Sequence, residues 1–199
     1  LLRRRGVRTQ LSRFHRLQEL LAGRPRRAET LPAETEAAVA LVCVPDPDAI
    51  LLIRRSERTG DPWSGQMGLP GGRRDRGDTD LLDTAIRETA EEVGVDLSPT
   101  ALIGTLDDLL PRTTLLPRIL VRPFVFQLPA RVPLQPNPEV AASIWVDLDQ
   151  LLQAGVYREW DVQADGRSFR YPGYRLSEGI VWGMTERILT PFLASLPAR

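Results

Sequence analysis

The feature that most constrains the fold is a glycine-rich loop that runs directly into a helix. Gly71 and Gly72 begin the loop, Asp80 is a suitable N-cap, and Gly94 is a suitable residue to end the helix between them. Apolar residues recur at helical spacing between those two signals. The sequence therefore predicts a helix over residues 81–93, flanked by a functional loop.

This helix carries two kinds of side chain on separate faces. At about 100° per residue, one face collects the expected buried stripe, formed by Leu82, Ile86, Thr89 and Val93. Glu88, Glu91 and Glu92 fall on another face, three and four residues apart, where like charges repel unless something offsets them. Three carboxylates without His or Cys nearby suit a hard divalent cation, Mg²⁺ or Mn²⁺. A solvated helix face is the alternative for these glutamates alone.

Composition excludes several other chemistries in the 199 residues. All 26 basic residues are arginine, so neither a lysine Schiff base nor a P-loop lysine is available. A single cysteine, Cys43, excludes an internal disulfide, and a single histidine, His15, disfavours a Ser/His/Asp triad. Because 26 acidic residues balance the arginines, no net field attracts nucleic acid or a membrane surface. The longest apolar run, over 37–44, is too short to span a bilayer.

The first 27 residues differ from the rest, with nine arginines against one acid, Glu19. Apolar residues at helical spacing predict an amphipathic helix over 9–22 that ends near Gly23. We expect residues 1–30 to form an extension packed on a domain over 31–199. An Arg-rich, acid-poor start is alternatively typical of an organellar targeting peptide. Otherwise a cytoplasmic location is expected.

Strands and helices alternate along the remaining chain. The predicted strands are apolar, β-rich runs over 37–44, 50–53, 119–127 and 143–146, the first two forming a hairpin. A short helix is expected from Asp147 to Gly155, and a last helix from a Ser177 cap to about Leu189. Residues 54–80 form a long irregular loop, which in a compact domain is usually functional. This order around one core predicts an α/β sandwich.

The loop and helix together resemble the Nudix box, Gly-x5-Glu-x7-Arg-Glu-U-x-Glu-Glu-x-Gly-U, where U is aliphatic. The residues that match it are Gly72, Arg87, Glu88, Glu91, Glu92, Gly94 and Val95. Asp78 stands at the first Glu, Thr89 at the first U, and the interval to Arg87 is one residue longer. The resemblance implies a Nudix hydrolase domain over 31–199. Its fold would be an α/β/α sandwich with a mixed β-sheet and a loop-helix-loop catalytic motif.

A second resemblance narrows the expected assignment to one group within this family. Residues 51–56 and 65–72 are similar to the two halves of the motif that marks coenzyme A pyrophosphatases, and residues 181–189 are similar to the C-terminal helix of that group. Ile53 stands where Thr is usual and Leu69 where Phe is usual. The loop over 57–64 is one residue longer and lacks its usual His.

The reaction implied by these resemblances is hydrolysis of a diphosphate linkage in a nucleoside diphosphate derivative. Coenzyme A or an acyl-coenzyme A would give 3′,5′-ADP and (acyl-)4′-phosphopantetheine. The metal ligands would be Glu88, Glu91, Glu92 and the Gly71 carbonyl, with Arg87 holding a carboxylate in place. The general base would be Glu91, Glu92 or an acid on a later loop, for which the candidates are Glu139, Asp107 and Asp108.

Substrate contacts are expected in the loop before the helix. Arg54, Arg55 and Arg58 could bind phosphate, including the 3′-phosphate of coenzyme A, although a solvated charge run at a strand edge is the alternative. We expect loss of Arg55 to weaken substrates with a 3′-phosphate most. Gly72 lets the backbone approach an ion or phosphate closely. Trp63 could stack on adenine or serve packing alone.

Three rival functions stay open at this stage. The enzyme could act on another nucleotide, such as a nucleoside triphosphate, ADP-ribose or a dinucleoside polyphosphate. A non-catalytic Nudix-like binding module is disfavoured because no box glutamate is lost. Nucleic-acid binding through the first 27 residues is disfavoured because Phe14 is the one aromatic among the arginines. We expect a small-molecule nucleotide-diphosphate substrate and no membrane partner, and a homodimer is allowed.

Overall fold

A mixed sheet lies at the centre of the computed structural model, which describes residues 12–23, 25–29, 35–61, 63–111, 118–164 and 167–197. The seven strands of this sheet are β1 (Thr35–Val44), β2 (Ala49–Arg55), β3 (Met67–Gly68), β4 (Gly71–Arg73), β5 (Leu102–Thr105), β6 (Ile119–Gln127) and β7 (Val140–Asp147). Their order along the main path is β3-β2-β1-β6-β5, with β4 paired to β1 and β7 paired to β2.

Strand β1 organises this sheet because it has three partners. It runs parallel to β6 from Thr35 opposite Ile119 to Cys43 opposite Gln127. It also forms the predicted hairpin with β2, and its first half pairs antiparallel with β4. The predicted loop over 54–80 therefore contains two short strands, β3 and β4. The pairing of β4 with β1 fixes the paired glycines beside the centre of the sheet.

Helices cover both faces of the sheet. They are α1 (Leu17–Ala22), α2 (Leu81–Val93), α3 (Leu148–Leu151) and α4 (Gly183–Ser195). Helix α2 packs through Leu81, Ala85 and Val93 on one face, whereas α1, α3 and α4 share the core of the opposite face. The alternation of side chains along β1 supplies both cores, since Val42 faces α2 and Cys43 faces the other layer. The predicted α/β/α sandwich with a mixed sheet is confirmed.

A second sheet follows α3 and was not predicted from the sequence. It is antiparallel, in the order β10-β9-β8, and consists of β8 (Tyr157–Ala164), β9 (Arg167–Arg175) and β10 (Ile180–Trp182). The prediction of a last helix capped by Ser177 is wrong, because residues 180–182 pair with β9 instead. Trp182 is the N-cap, so α4 begins at Gly183 and continues to Ser195.

The arginine-rich start is helical over a shorter stretch than expected. Ser12 has extended backbone angles and its hydroxyl accepts a hydrogen bond from the Phe14 amide, so a 3₁₀ turn (Arg13–Arg16) precedes α1. The predicted residues 9–11 lie outside the described part of the chain. Phe14 and Leu17 are buried in the same core as Phe192 of α4. The division at residue 30 and the targeting alternative stay predictions.

Two smaller differences concern the region around Asp147. The strand expected over 143–146 is longer, because β7 pairs with β2 along its whole length. Asp147 is the N-cap of α3 as predicted, but its carboxylate makes no capping bond and pairs with Arg131 instead. Helix α3 ends at Leu151 with Leu152 as its C-cap, before Gly155. No helix in the described ranges is long and apolar enough to cross a membrane.

Candidate active site

Helix α2 begins and ends where the sequence predicts. The Asp80 carboxylate accepts hydrogen bonds from the amides of Leu82 (2.8 Å) and Asp83 (3.0 Å), and Gly94 adopts a left-handed conformation with φ of 69°. Thr89, which stands at an aliphatic position of the family motif, is buried with its hydroxyl donating to the Ala85 carbonyl at 2.7 Å. Its polar atom is therefore satisfied within the helix.

The buried face of α2 is rotated from the predicted stripe towards the glutamates. Leu82 and Ile86 are only partly buried, whereas Thr84 and Ala85 are fully buried. The prediction that all three glutamates point away from the buried stripe is wrong for Glu92, which is 2% exposed. Strand β4 causes this difference, because it covers the helix on the side where Glu92 lies.

Two glycines of β4 let the backbone approach these carboxylates closely. The Gly71 amide donates to Glu92 Oε2 at 2.9 Å. A Cβ atom at Gly72 would lie 2.5 Å from the carboxylate carbon of Glu88, and one at Gly71 would lie 2.2 Å from the Ala38 carbonyl oxygen. Any side chain at either position would displace its neighbours. The close approach that the sequence suggested is therefore made to Glu88 and Glu92.

Arg87 fixes the polar side of the helix through five hydrogen bonds. Its Nε and Nη2 donate to the two oxygens of Asp78 at 2.9 and 3.0 Å, and its Nη2 also reaches the Arg73 carbonyl at 3.2 Å. Its Nη1 donates to Glu88 at 2.9 Å and to Glu91 at 3.0 Å. The paired guanidinium holds the pKa of Asp78 well below its usual range. Asp78, which stands at the first Glu of the motif, thus braces Arg87.

Negative charge accumulates beside β4. Burial raises the pKa of Glu92 to about 7, and the charges of Glu88 and Glu139 act in the same direction, against the Gly71 amide and Arg55. Burial also raises the pKa of Glu88, which Arg87 opposes. Glu91 differs, because its side chain is 56% exposed and is held by Arg87 on the outer side of the helix.

A cavity of about 360 Å³ opens beside these carboxylates. Its polar lining includes Arg55, Asp61, Glu88, Glu92 and Glu139. Its apolar lining comes from β1, β6, the loop before β3 and helix α4, and includes Val39, Trp63, Met67, Val121, Met184 and Ile188. A carboxylate cluster and an apolar wall therefore share one cavity.

The donor set fits a hard divalent cation in its chemistry. Glu88 and Glu92 are carboxylates held beside the Gly71–Gly72 backbone, where their mutual repulsion favours a cation. In the described residues, no group of three His, Cys, Asp or Glu side chains is already arranged to hold a metal ion. Arg87 holds Glu91 at 3.0 Å, which leaves it outside the cavity lining. Bringing all three glutamates to one ion requires the Glu91 side chain to turn towards the cavity.

The three predicted substrate arginines lie in different places. Arg55 lines the cavity between Asp61 and Glu92, whereas Arg54 is exposed and outside the lining. Arg58 also lies outside the lining and donates to Glu139 at 3.0 Å. Glu139 itself lines the cavity, so this candidate base is close to Glu88 and Glu92.

Two other candidate bases lie away from this cavity. Asp107 and Asp108 line a separate cavity of about 670 Å³, where Asp108 pairs with Arg26 and Arg122. The cavity beside Glu88 and Glu92 also has lining residues that were not predicted from the sequence, among them Asp61, Arg73, Thr185 and Met184. No sequence pattern points to Asp61 as a site residue, because a separation of six residues from Arg55 across a loop predicts no contact.

Comparison with known proteins agrees with this geometry. A family model described as "NUDIX domain" matches residues 34–165. The chain is 32% identical over 176 residues to the Nudix hydrolase NudL of Photorhabdus laumondii, covering 88% of this chain and 91% of that protein. It is 30% identical over 152 residues to NudL of Yersinia pestis, covering 76% and 73% of the two chains.

A solved structure supports the fold. The MutT/nudix family protein from Enterococcus faecalis aligns with a TM-score of 0.57 at 18% identity, over 81% of this chain and 62% of that chain. The mixed sheet and the glutamate-bearing helix that follows a glycine pair are features of a class of nucleotide hydrolases. The chain belongs to the Nudix family. As a Nudix hydrolase, it acts on phosphoric anhydrides in nucleoside diphosphate derivatives. Nudix hydrolases generally use divalent metals.

Proposed function

We propose that this chain hydrolyses the diphosphate bond of coenzyme A or an acyl-coenzyme A, releasing 3′,5′-ADP and (acyl-)4′-phosphopantetheine. The observation that carries the proposal is the shared cavity, in which Glu88 and Glu92 face an apolar wall that includes Met67 and Met184. A substrate whose charged diphosphate adjoins a long, less polar arm matches that lining. The similarity of residues 51–56 and 65–72 to the coenzyme A motif supports the same substrate.

Mg²⁺ or Mn²⁺ is the cofactor in this proposal. Glu88, Glu91, Glu92 and the Gly71 carbonyl would hold it, because carboxylate and carbonyl oxygens are the ligands that these ions prefer. Such an ion supplies positive charge that neutralises the diphosphate and makes water more acidic. Arg87 keeps Glu88 and Glu91 in place through its hydrogen bonds at 2.9 and 3.0 Å.

A carboxylate of the chain accepts the proton of the attacking water. Glu92 is one candidate for this role, because it lines the cavity and the Gly71 amide fixes one of its oxygens at 2.9 Å. Glu139 also lines the cavity, with Arg58 fixing one of its oxygens, and exposed Glu91 is the third candidate. Catalysis otherwise consists of positioning and electrostatic stabilisation, as in phosphoryl transfer generally.

Arg55 and Gly72 are proposed substrate contacts, since both line the cavity. Arg54 and Arg58 lie outside the lining, so Arg55 and Arg73 are the arginines that line the cavity in the described residues, and less positive charge than predicted is available for a 3′-phosphate. This observation favours a second candidate substrate without that group, such as a nucleoside triphosphate, ADP-ribose or a dinucleoside polyphosphate. A cytoplasmic location belongs to the proposal, which also allows a homodimer.

Product analysis tests the proposal directly. The protein is incubated with Mg²⁺ or Mn²⁺ and with coenzyme A, acetyl-coenzyme A, ADP-ribose, NADH, diadenosine polyphosphates and nucleoside triphosphates in parallel. Release of 3′,5′-ADP and 4′-phosphopantetheine as the fastest reaction is the expected result. Faster cleavage of another diphosphate would support the proposed hydrolytic site but contradict coenzyme A as its substrate. Absence of any cleavage with either metal would contradict the proposed hydrolysis and favour a binding module.

A further inference from the structure

Arg55 lies between two carboxylates that it holds unequally. Its Nη2 donates to Asp61 Oδ2 at 3.0 Å, which is an ordinary hydrogen bond. Its Nη1 lies 3.6 Å from Glu92 Oε1, a distance that allows charge attraction without a hydrogen bond. Asp61 is fixed in turn, because its Oδ1 accepts from the Trp63 amide at 3.0 Å. The guanidinium is therefore anchored by Asp61 and only loosely attached to Glu92.

The Nε of Arg55 also lacks a partner. Throughout the described ranges, it is the one buried side-chain nitrogen or oxygen without a hydrogen bond. A buried donor without an acceptor is unfavourable, and a satisfied arrangement would be more stable. Arg87, whose partners are Asp78, Glu88, Glu91 and the Arg73 carbonyl, uses Nε, Nη1 and Nη2 at 2.9 to 3.2 Å. Arg87 thus has a complete set of acceptors, and Arg55 does not.

Arg55 supplies positive charge where Glu92 meets other carboxylates. Glu88 and Glu139 line the same cavity and repel Glu92, while Arg55 attracts it. A divalent cation held by Glu92 would make the same attraction and would repel a guanidinium at this distance. The two cations therefore compete for one carboxylate.

We infer that Arg55 is a stand-in cation that leaves Glu92 for a substrate phosphate when a divalent ion binds, with Asp61 as its positioning residue. The inference rests on the proposed role of Glu92 as a metal ligand. A phosphate oxygen supplies the acceptor that Nε lacks, and Asp61 keeps the guanidinium within the cavity during the exchange. Divalent ion and phosphate then bind cooperatively. The ion repels Arg55, which the phosphate attracts, and the carboxylates of the cavity repel the phosphate, whose charge the ion neutralises.

Mn²⁺ affinity without any nucleotide is the first test, measured by titration calorimetry and by the electron spin resonance of free Mn²⁺. Arg55→Gln removes the competing charge, so Mn²⁺ should bind about tenfold more tightly. Asp61→Asn keeps the oxygen that accepts from Trp63 but removes the charge that balances Arg55, so Mn²⁺ should bind several-fold more weakly. Arg170→Gln is the charge-matched control, since Arg170 is exposed on β9, and it should change nothing.

Phosphate binding is the second test, with α,β-methylene-ADP as a diphosphate that cannot be cleaved at its bridge. In the wild-type protein, saturating Mn²⁺ should tighten binding of this probe by about tenfold or more. Arg55→Gln should lose most of that enhancement although it binds Mn²⁺ more tightly. Arg55→Lys keeps the charge without the planar fork and should recover part of the enhancement.

Glu92→Gln separates failure of this inference from failure of the proposed function. If Glu92→Gln leaves Mn²⁺ affinity unchanged, Glu92 is not a ligand, and the metal assignment falls together with the inference. If Glu92→Gln weakens Mn²⁺ binding while Arg55→Gln leaves it unchanged or weaker, only the inference is overturned. Thermal melting checks that each variant is folded. If Arg55→Gln does not fold, the two separate variants Arg55→Lys and Asp61→Asn test the inference instead.

Discussion

Glu91 and Glu92 are neighbours in sequence but lie in opposite environments. Glu92 is 2% exposed and accepts from the Gly71 amide, whereas Glu91 is 56% exposed and pairs with Arg87. A buried carboxylate without full charge compensation has a raised pKa, and that of Glu92 reaches about 7. The two residues therefore contribute differently to a common site, one as a fixed group and one as a group that must turn inward.

Glu92→Gln and Glu91→Gln should each lower turnover by about a hundredfold or more, because each removes a proposed ligand or base. Both variants should fold, since an amide is nearly isosteric with a carboxylate and its oxygen at position 92 can still accept from Gly71. Steady-state rates with Mg²⁺, together with thermal melting, measure the two effects. Full activity in both variants would contradict the metal-site proposal.

Arg55→Ala should weaken coenzyme A and dephospho-coenzyme A to a similar extent. The sequence suggested a preference for the 3′-phosphate, but Arg55 lies 3.6 Å from Glu92, beside the proposed site of the diphosphate. Because both substrates carry the diphosphate, both should lose about tenfold or more in kcat/KM. A loss confined to coenzyme A would restore the original expectation.

The identity of the site residues could be predicted from sequence, but their environments could not. Spacing alone placed Glu88, Glu91 and Glu92 on neighbouring positions of one helix. The burial of Glu92 depends on β4, which pairs with β1 more than 30 residues earlier in the chain. The contact of Arg55 with Asp61 depends on a loop conformation that carries no periodic signal.

At the scale of elements, the packing of β4 on α2 requires glycine at position 72. Gly72→Ala would place a Cβ 2.5 Å from the Glu88 carboxylate. We expect a loss of about 1–3 kcal/mol in the free energy of unfolding from overpacking. Turnover should fall by about tenfold or more, because Glu88 is displaced. Urea unfolding and steady-state kinetics measure the two effects separately.

Gly77→Ala is the matched control for that substitution. Gly77 lies in the loop that follows β4, and a Cβ there would meet no atom within 4 Å. Stability and turnover should both stay at the wild-type level. Equal effects at the two glycines would show that loop flexibility, and not the contact with Glu88, is what the substitution changes.

Elements with strong local signals were predicted well, and those that depend on pairing were not. The strands of the β1–β2 hairpin are continuous apolar runs and α2 has apolar residues at helical spacing, and both elements are bounded by turn or cap residues. Strands β8 and β9 are rich in charged and exposed residues, which obscures alternation, although the Asp165-Gly166 dipeptide between them is a hairpin signal. The start of α4 was misplaced because β10 takes residues 180–182 into a sheet.

For the whole molecule, Asp108 joins distant parts of the chain. Its side chain is buried and accepts from Arg122 of β6 and from Arg26 in the segment after α1. Burial alone would raise the pKa of Asp108, but the two arginines lower it by a larger amount. The net pKa therefore lies below the ordinary value of 3.8. The carboxylate therefore stabilises the fold above that value, and the contribution is lost as pH falls through the lower folded pKa.

Asp108→Asn should lower the free energy of unfolding at neutral pH, and the difference from wild type should shrink towards about pH 3. Urea unfolding across that range provides the measurement. Asp161→Asn serves as a control, because Asp161 is 75% exposed and 3.9 Å from Arg170, so it should matter little at any pH. A difference for Asp108→Asn that stays constant with pH would show that packing, and not charge, is lost.

The cavity wall formed by Met184 and Ile188 has a consequence during synthesis of the chain. About 90 residues separate the end of α2 from Met184, which is roughly 5 to 18 seconds of translation at typical rates. The ribosome therefore produces the glutamates well before the wall that encloses them. A nascent chain paused in that interval lacks the side of the cavity that α4 supplies, and the cavity is complete only when α4 has docked.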